Sequence, residues 1–239
     1  MNLARRLCAE GAGSVLLAAT VIGSGIMAER LAAGNSAVAL LANTAATVAV
    51  LATLIGMLGP ISGAHFNPAV SFVQVLRGQL SVRDASSYAI AQIVGCVLGA
   101  VLAHAMFELP LIQASAHVRA GAAQWLSEVV ATGGLVLAVM SCASPSVAAW
   151  RVPAWIGAAY WFTASTSFAN PAITIGRALS NTFAGIRPAD ASGFIGAQIV
   201  GAVLGFYLGK VLFESAARPA AAGERVESRQ SLTTETRVP

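Results

Sequence analysis

Between Arg30 and Arg77 the chain runs 46 residues without a single Asp, Glu, Lys or Arg. As one helix, at about 1.5 Å per residue, this stretch would be roughly twice as long as a bilayer's hydrocarbon core is thick. It is too long for one membrane span, so it must hold a span plus a segment that enters the membrane without crossing. Other charge-free gaps are single-span length: 18 residues between Glu10 and Glu29, 23 between Asp84 and Glu108, 22 between Glu128 and Arg151, 25 between Arg151 and Arg177, and 19 between Asp190 and Lys210. Charged residues are 10% of the chain and hydrophobic ones 56%, against roughly 25% charged in an ordinary soluble protein. Soluble and disordered classes are excluded on that ground. The 23 glycines follow no three-residue period, and no segment alternates in polarity as a β-barrel strand does. The class is an all-α membrane protein.

Six spans are expected, at about residues 9–32, 36–58, 84–106, 121–142, 152–168 and 190–213. With the N-terminus in the cytoplasm, Arg5, Arg6, Arg77, Arg83, Arg151, Lys210, Arg218, Arg225, Arg229 and Arg237 fall inside, and Arg30, Arg119, Arg177 and Arg187 outside. The excess of basic residues on one side predicts both termini cytoplasmic. The net charge of +4 therefore reports topology, and no basic patch interleaved with aromatics points to nucleic acid. The composition turns polar after Glu214, so residues 215–239 read as a disordered cytoplasmic tail. Arg5 and Arg6 before an apolar run resemble a secretory signal, but no clear cleavage site follows, and a retained first helix is expected. Cys8, Cys96 and Cys142 have neither disulfide nor zinc spacing.

The chain repeats itself. AQIVGCVLGA at 91–100 returns as AQIVGAVLGF at 197–206, and Asn67-Pro68-Ala69 returns as Asn170-Pro171-Ala172. Glu10 and Glu128 open the first and fourth spans in similar positions. Two halves of three spans each, repeat 1 at about 5–108 and repeat 2 at about 119–214, form the 1–214 domain. An odd number of spans per half inverts the second copy, the architecture of channels and transporters with broken helices meeting at the midplane. Gly95, Gly99, Gly201 and Gly205 form small-xxx-small pairs suited to close helix packing in lipid. Gln92 and Gln198 are polar in mid-span and are expected to bond to a loop or neighbouring helix. Glu10 and Glu128 read either as a proton path or as braces accepting loop N–H groups, and the brace is favoured. His65 is expected to brace its own loop, with a pH gate as the second reading.

Asn before Pro is a helix start: Asn caps, and Pro at the first position has no N–H to leave unsatisfied. Residues 68–76 and 171–181 are thus expected to be half-helices, each reaching about half the hydrocarbon core. Opposed, they bring two positive dipole ends to the midplane, with the side-chain amides of Asn67 and Asn170 facing a lumen as donors. The backbone before each cap, extended at membrane depth, would line that lumen with carbonyls.

Carried by SGAHFNPAV at 62–70 and ANPAITIGRAL at 169–179, the sequence resembles the major intrinsic protein family of aquaporins and aquaglyceroporins. The resemblance implies six spans plus two re-entrant half-helices, a pore in each protomer, a homotetramer, neutral solutes as substrates, and no cofactor. It extends over about residues 5–214. Family members usually carry an Arg directly after the second NPA, where this chain has Ile173. Spacing from the motifs assigns the other filter positions to Thr47, Ala158 and Ser167. These side chains predict a wide, weakly polar, uncharged constriction. Arg177, four residues past Ile173, is expected to be a surface or loop-anchoring residue, with replacement of the missing Arg as the alternative. NPAITIGRALSNTFAGIRPAD resembles the bacterial aquaglyceroporins associated with arsenic resistance, which implies neutral and methylated arsenicals alongside glycerol, urea or water in a bacterial inner membrane. An ordinary water or glycerol facilitator is the alternative. A secondary transporter is less favoured, because no charged coupling group lies near Asn67 or Asn170. No enzyme is expected: His65, His104 and His117 are dispersed, without carboxylate or Ser partners.

Overall fold

The computed structural model describes residues 2–214, and every regular element among them is helical. In chain order they are α1 (Leu3–Leu31), α2 (Ser36–Ser62), α3 (Pro68–Leu76), α4 (Val82–Met106), α5 (Ala122–Met140), α6 (Pro145–Phe162), α7 (Pro171–Ala178) and α8 (Pro188–Gly209). A wider π-type turn over Lys210–Glu214 continues α8. The proposed tail at 215–239 lies outside the described residues. Sequence chemistry sets the boundaries: Asn2, Asn35, Ser81 and Ser144 each accept a first-turn N–H through the side chain. Gly63, with φ of 90°, ends α2 in a left-handed conformation open to glycine.

Five helices are long and apolar enough to cross a membrane by length and composition: α1, α2, α4, α5 and α8. The sixth long helix, α6, has 18 residues and begins seven positions before the expected 152. The charge pattern sets Arg151 at the edge of that span, yet the residue lies within the helix. Its Nη1 reaches back to the end of α5 and donates to Ser141 O at 2.8 Å and Oγ at 2.9 Å. A long side chain can carry its charge to a polar end, so the helix can start earlier, at Pro145 behind the Ser144 cap.

The two halves have the same plan. α1 packs along α4 and α5 along α8, while α2 meets α6 across the centre. Glycine makes the first two contacts close. A β-carbon added at Gly95 would lie 2.6 Å from Gly11 O, and one at Gly205 would lie 2.5 Å from Gly133 O. In lipid, where apolar burial gives helices no reason to associate, such approach supplies the van der Waals contact. Arg6 meets Tyr88 and Asp84 at the starts of α1 and α4, and Arg30 reaches Phe107 O at their ends. These contacts define an N-terminal side and an opposite, loop side of the bundle.

Candidate functional site

The short helices α3 and α7, of nine and eight residues, each cover about 13 Å. Their N-termini meet in the interior. Asn67 Oδ1 accepts from Ala69 N at 2.9 Å, and Asn170 Oδ1 from Ala172 N at 2.9 Å and Ile173 N at 3.3 Å. The amide nitrogens then cross over: Asn67 Nδ2 donates to Ala169 O at 2.8 Å, and Asn170 Nδ2 to Phe66 O at 2.8 Å. This cross-link differs from the expected arrangement, in which both amides face only the lumen. It fixes each loop to the other half of the chain and takes one of the two hydrogens on each amide, so half of the expected donor capacity is committed to the fold.

Behind each loop sits a fully buried carboxylate. Glu10 accepts from Ser62 Oγ (2.6 Å), His65 N (3.0 Å), Phe66 N (2.7 Å) and Gln92 Nε2 (2.8 Å). Glu128 accepts from Ser165 Oγ (2.6 Å), Phe168 N (2.9 Å), Ala169 N (2.8 Å) and Gln198 Nε2 (2.7 Å). Gln92 also meets Ser71 Oγ at 3.1 Å, and Gln198 meets Thr174 Oγ1 at 2.9 Å. Each glutamine thereby ties a long helix to the first turn of a half-helix. The loop backbone needs this support, because it is left-handed at residues with a β-carbon: φ is 50° and 48° at Ala64 and Phe66, and 52° and 48° at Ser167 and Ala169. His65 joins the first brace, its Nδ1 lying 3.0 Å from Ser71 Oγ.

Between the half-helices runs a lumen of about 110 Å³, room for a few waters or one small polyol. Its wall is largely aliphatic, with Leu17, Leu51, Ile55, Leu135, Val152 and Ile156 among the lining residues. Polar groups form a broken line along it: His65 and Gln74 toward the N-terminal side, Asn67 and Asn170 in the middle, and Thr47, Tyr160, Ser167 and Arg177 toward the loop side. Of the four positions assigned to a filter, Thr47, Ser167 and Ile173 line the lumen. Ala158 does not, because it is exposed on the outer face of α6. The inward stripe of α6 is Ala148, Val152, Ile156 and Tyr160, and a residue two positions from Tyr160 points about 200° around the helix. Tyr160 stands where Ala158 was placed, its hydroxyl 3.3 Å from Thr47 Oγ1. A spacing of four along the stripe was the available signal, and ungapped counting from the motif missed it.

Arg177 anchors a loop, one of the two places expected for it, and is not on the surface, the other. It is 2% exposed, not a surface residue, and its guanidinium lies 3.3 Å above the Phe168 ring while Nε donates to Ala184 O. Arg119, from the α4–α5 connection, flanks the same ring at 5.1 Å and donates to Gly185 O (2.8 Å) and Ser165 O (3.3 Å). Burial pushes the Arg119 guanidinium down from its ordinary range, partly offset by the nearby Glu128. The loop side of the lumen is therefore lined by a large side chain, Tyr160, and by Arg177, where the sequence predicts a wide, uncharged lining. Cys8, Cys96 and Cys142 lie apart from the lumen lining.

Comparison with known proteins accords with this geometry. The family model for the major intrinsic protein matches residues 1–166. Aquaglyceroporin AqpS of Rhizobium meliloti is 52% identical over 217 residues, covering 90% of this chain and 93% of that one. A probable glycerol uptake facilitator of Thermotoga maritima is 27% identical, covering 86% of this chain and 96% of that one. Among solved structures, the aquaglyceroporin of Plasmodium falciparum superposes with a TM-score of 0.62 at 18% identity, covering 89% of this chain and 98% of that one, a likeness of fold. With the family model matching most of its length and a full-length relative at this identity, the chain belongs to the major intrinsic protein family.

Proposed function

We propose that the chain is a passive channel for small neutral solutes, with the NPA segments Asn67-Pro68-Ala69 and Asn170-Pro171-Ala172 at its midpoint and Thr47, Tyr160, Ser167, Ile173 and Arg177 at its selective end. The observation that carries this reading is the lumen itself. It passes between two opposed helix N-termini, and Asn67 and Asn170 at that midpoint are neutral and carry no proton to exchange with a gradient. Two dipole ends, each worth roughly half an elementary charge, repel cations. The aliphatic wall gives a neutral solute little to bind and little to hold it back.

The proposed setting is a bacterial inner membrane, with both termini cytoplasmic, residues 1–214 forming the channel and four copies forming a homotetramer. Glycerol, urea, water and neutral or methylated arsenicals are the proposed solutes. The relative at 52% identity bears the name aquaglyceroporin, which supports the polyol part. The arsenical part rests on the resemblance around Ile173, and the width argument for it is weakened by Tyr160. That side chain instead favours the second reading, an ordinary water or glycerol facilitator.

Stopped-flow light scattering on vesicles holding the purified chain tests the proposal. Solute flux should rise linearly with the concentration gradient and ignore imposed proton or sodium gradients; saturable, gradient-driven uptake would reject the channel. Running a methylated arsenical beside arsenous acid, glycerol and urea separates the two readings: arsenous acid is a glycerol-sized polyol mimic that either pore passes, whereas a facilitator of the second kind passes the methylated compound no faster than empty vesicles do.

A further inference from the structure

Gln74 lies seven residues past Asn67 on α3 and lines the N-terminal side of the lumen. In the second half the same step from Asn170 leads to Arg177, so the repeat sets a neutral amide where its copy has a cation. The wall is otherwise largely aliphatic, and a half-buried amide on it needs partners at both ends. One end is satisfied: Arg77 Nη1 donates to Gln74 Oε1 at 3.2 Å. A guanidinium has donors only, so this bond fixes the amide with its oxygen toward Arg77 and its nitrogen away from it. Gln74 Nε2 has no protein partner among the described residues and is not enclosed.

Arg77 is held in turn. It ends α3, where the last carbonyls carry negative partial charge, and its N–H returns to Val73 O at 2.9 Å. Gly78, left-handed at φ of 70°, then brings the chain back, so that Gln79 N and Leu80 N donate to Gln74 O at 2.9 and 3.2 Å. Backbone and side chain of Gln74 are thus fixed by the residues that follow, and the pair moves as one turn. Beside it the loop Gly63, Ala64 and His65 also lines the lumen. The N–H groups of that loop are spent on Gly59 O, Ser62 Oγ and Glu10 Oε1, and the His65 ring bonds Ser71 through Nδ1. Its three carbonyls accept no hydrogen bond among the described residues. Backbone acceptors are therefore plentiful on this side, and Gln74 adds a free donor.

We infer that Gln74, oriented by Arg77, docks the carbonyl oxygen of neutral amides on the N-terminal side of the lumen, while the loop carbonyls accept the amide hydrogens. The substrate class is urea and small carboxamides. A solute carbonyl oxygen has no hydrogen of its own, and leaving water without a donor costs it the full desolvation penalty. A hydroxyl can give its hydrogen to a loop carbonyl and strands only a weaker acceptor, so polyols depend less on this group.

This station rests on the channel reading, and the experiment separates the two. Vesicles holding the purified chain are assayed by stopped flow for water, glycerol, urea and acetamide. Wild-type vesicles no more permeable than empty ones would overturn the channel itself. Given a conducting wild type, Gln74→Met keeps the length of the side chain but has no N–H. It should lower the urea-to-water and acetamide-to-water permeability ratios about fivefold, and the glycerol-to-water ratio less than about twofold. Arg77→Met should lower the same two amide ratios in the wild-type background and leave them unmoved in Gln74→Met, since Arg77 acts through the amide it orients. Equal losses in both backgrounds would overturn that positioning role. Unchanged amide ratios in Gln74→Met, or an equal fall for glycerol, would overturn the station. Should that variant not fold, Gln74→Asn, which withdraws the amide from Arg77 and from the lumen by one methylene, is judged by the same outcomes.

Discussion

At the scale of single residues, the difference between Ala158 and Tyr160 carries a clear experimental consequence. Ala158 is exposed outside the bundle, so Ala158→Leu should leave the glycerol-to-urea permeability ratio unchanged. Tyr160→Ala removes a ring from the lumen and frees Thr47, and should raise flux of urea and larger polyols several-fold in the same vesicle assay. The buried carboxylates make a different demand. Glu128 holds two backbone N–H groups and two side-chain donors, so Glu128→Gln turns one acceptor toward them into another donor. Two or more buried groups lose their partner at about 1–3 kcal/mol each. Thermal unfolding in detergent should fall steeply for Glu128→Gln and likewise for Glu10→Gln. A proton path through either carboxylate would instead show as altered proton flux with stability retained. The role of these glutamates could be read in outline from their equal positions in the two halves. Their side-chain donors could not, because Ser62 and Gln92 for Glu10, and Ser165 and Gln198 for Glu128, come from other elements, and only the folded chain brings each pair to its carboxylate.

At the scale of elements, the pattern of charge-free stretches located α1, α2, α4, α5 and α8 to within a few residues, except that α1 starts earlier than expected. Two Asn-Pro pairs located the half-helices, whose capping is local chemistry. For α6 the charge pattern misleads: Arg151 marks no membrane boundary, because its side chain reaches out of the helix to Ser141. α7 ends at Ala178 instead of 181, since Ser180 N and Ile186 N turn back to Arg177 O and close the loop early. Packing between elements is governed by glycine. Gly201 faces the Val129 carbonyl and Gly205 that of Gly133, so a side chain at either position pushes α5 and α8 apart. Gly201→Val should cost about 1–3 kcal/mol through overpacking. Gly196→Ala, on the same helix but with open space around it, should cost nothing and serves as the control. Equal unfolding temperatures for the two variants would show that close approach contributes nothing to the pair.

At the scale of the whole molecule, the inverted repeat makes the two braces near copies while the two ends of the lumen are unlike. Gln92 and Gln198 perform the same task, each joining a buried glutamate to the first turn of a half-helix. Gln92→Leu and Gln198→Leu should therefore lower the unfolding temperature by similar amounts. The half-helices they steady differ in what they carry. α3 presents Val70 and Gln74 to the lumen, neither charged, whereas α7 presents Ile173 and Arg177. Loosening α3 can change how fast solutes pass but removes no charge-bearing group from their path. Loosening α7 moves the guanidinium relative to Ser167 and Tyr160 and disturbs the selective end. Gln198→Leu should thus shift the glycerol-to-water ratio and raise proton leak, and Gln92→Leu should alter total flux alone. The measurement is the pair of variants side by side in one vesicle preparation. Equal shifts in selectivity would mean that discrimination is shared along the lumen and does not reside at the loop side.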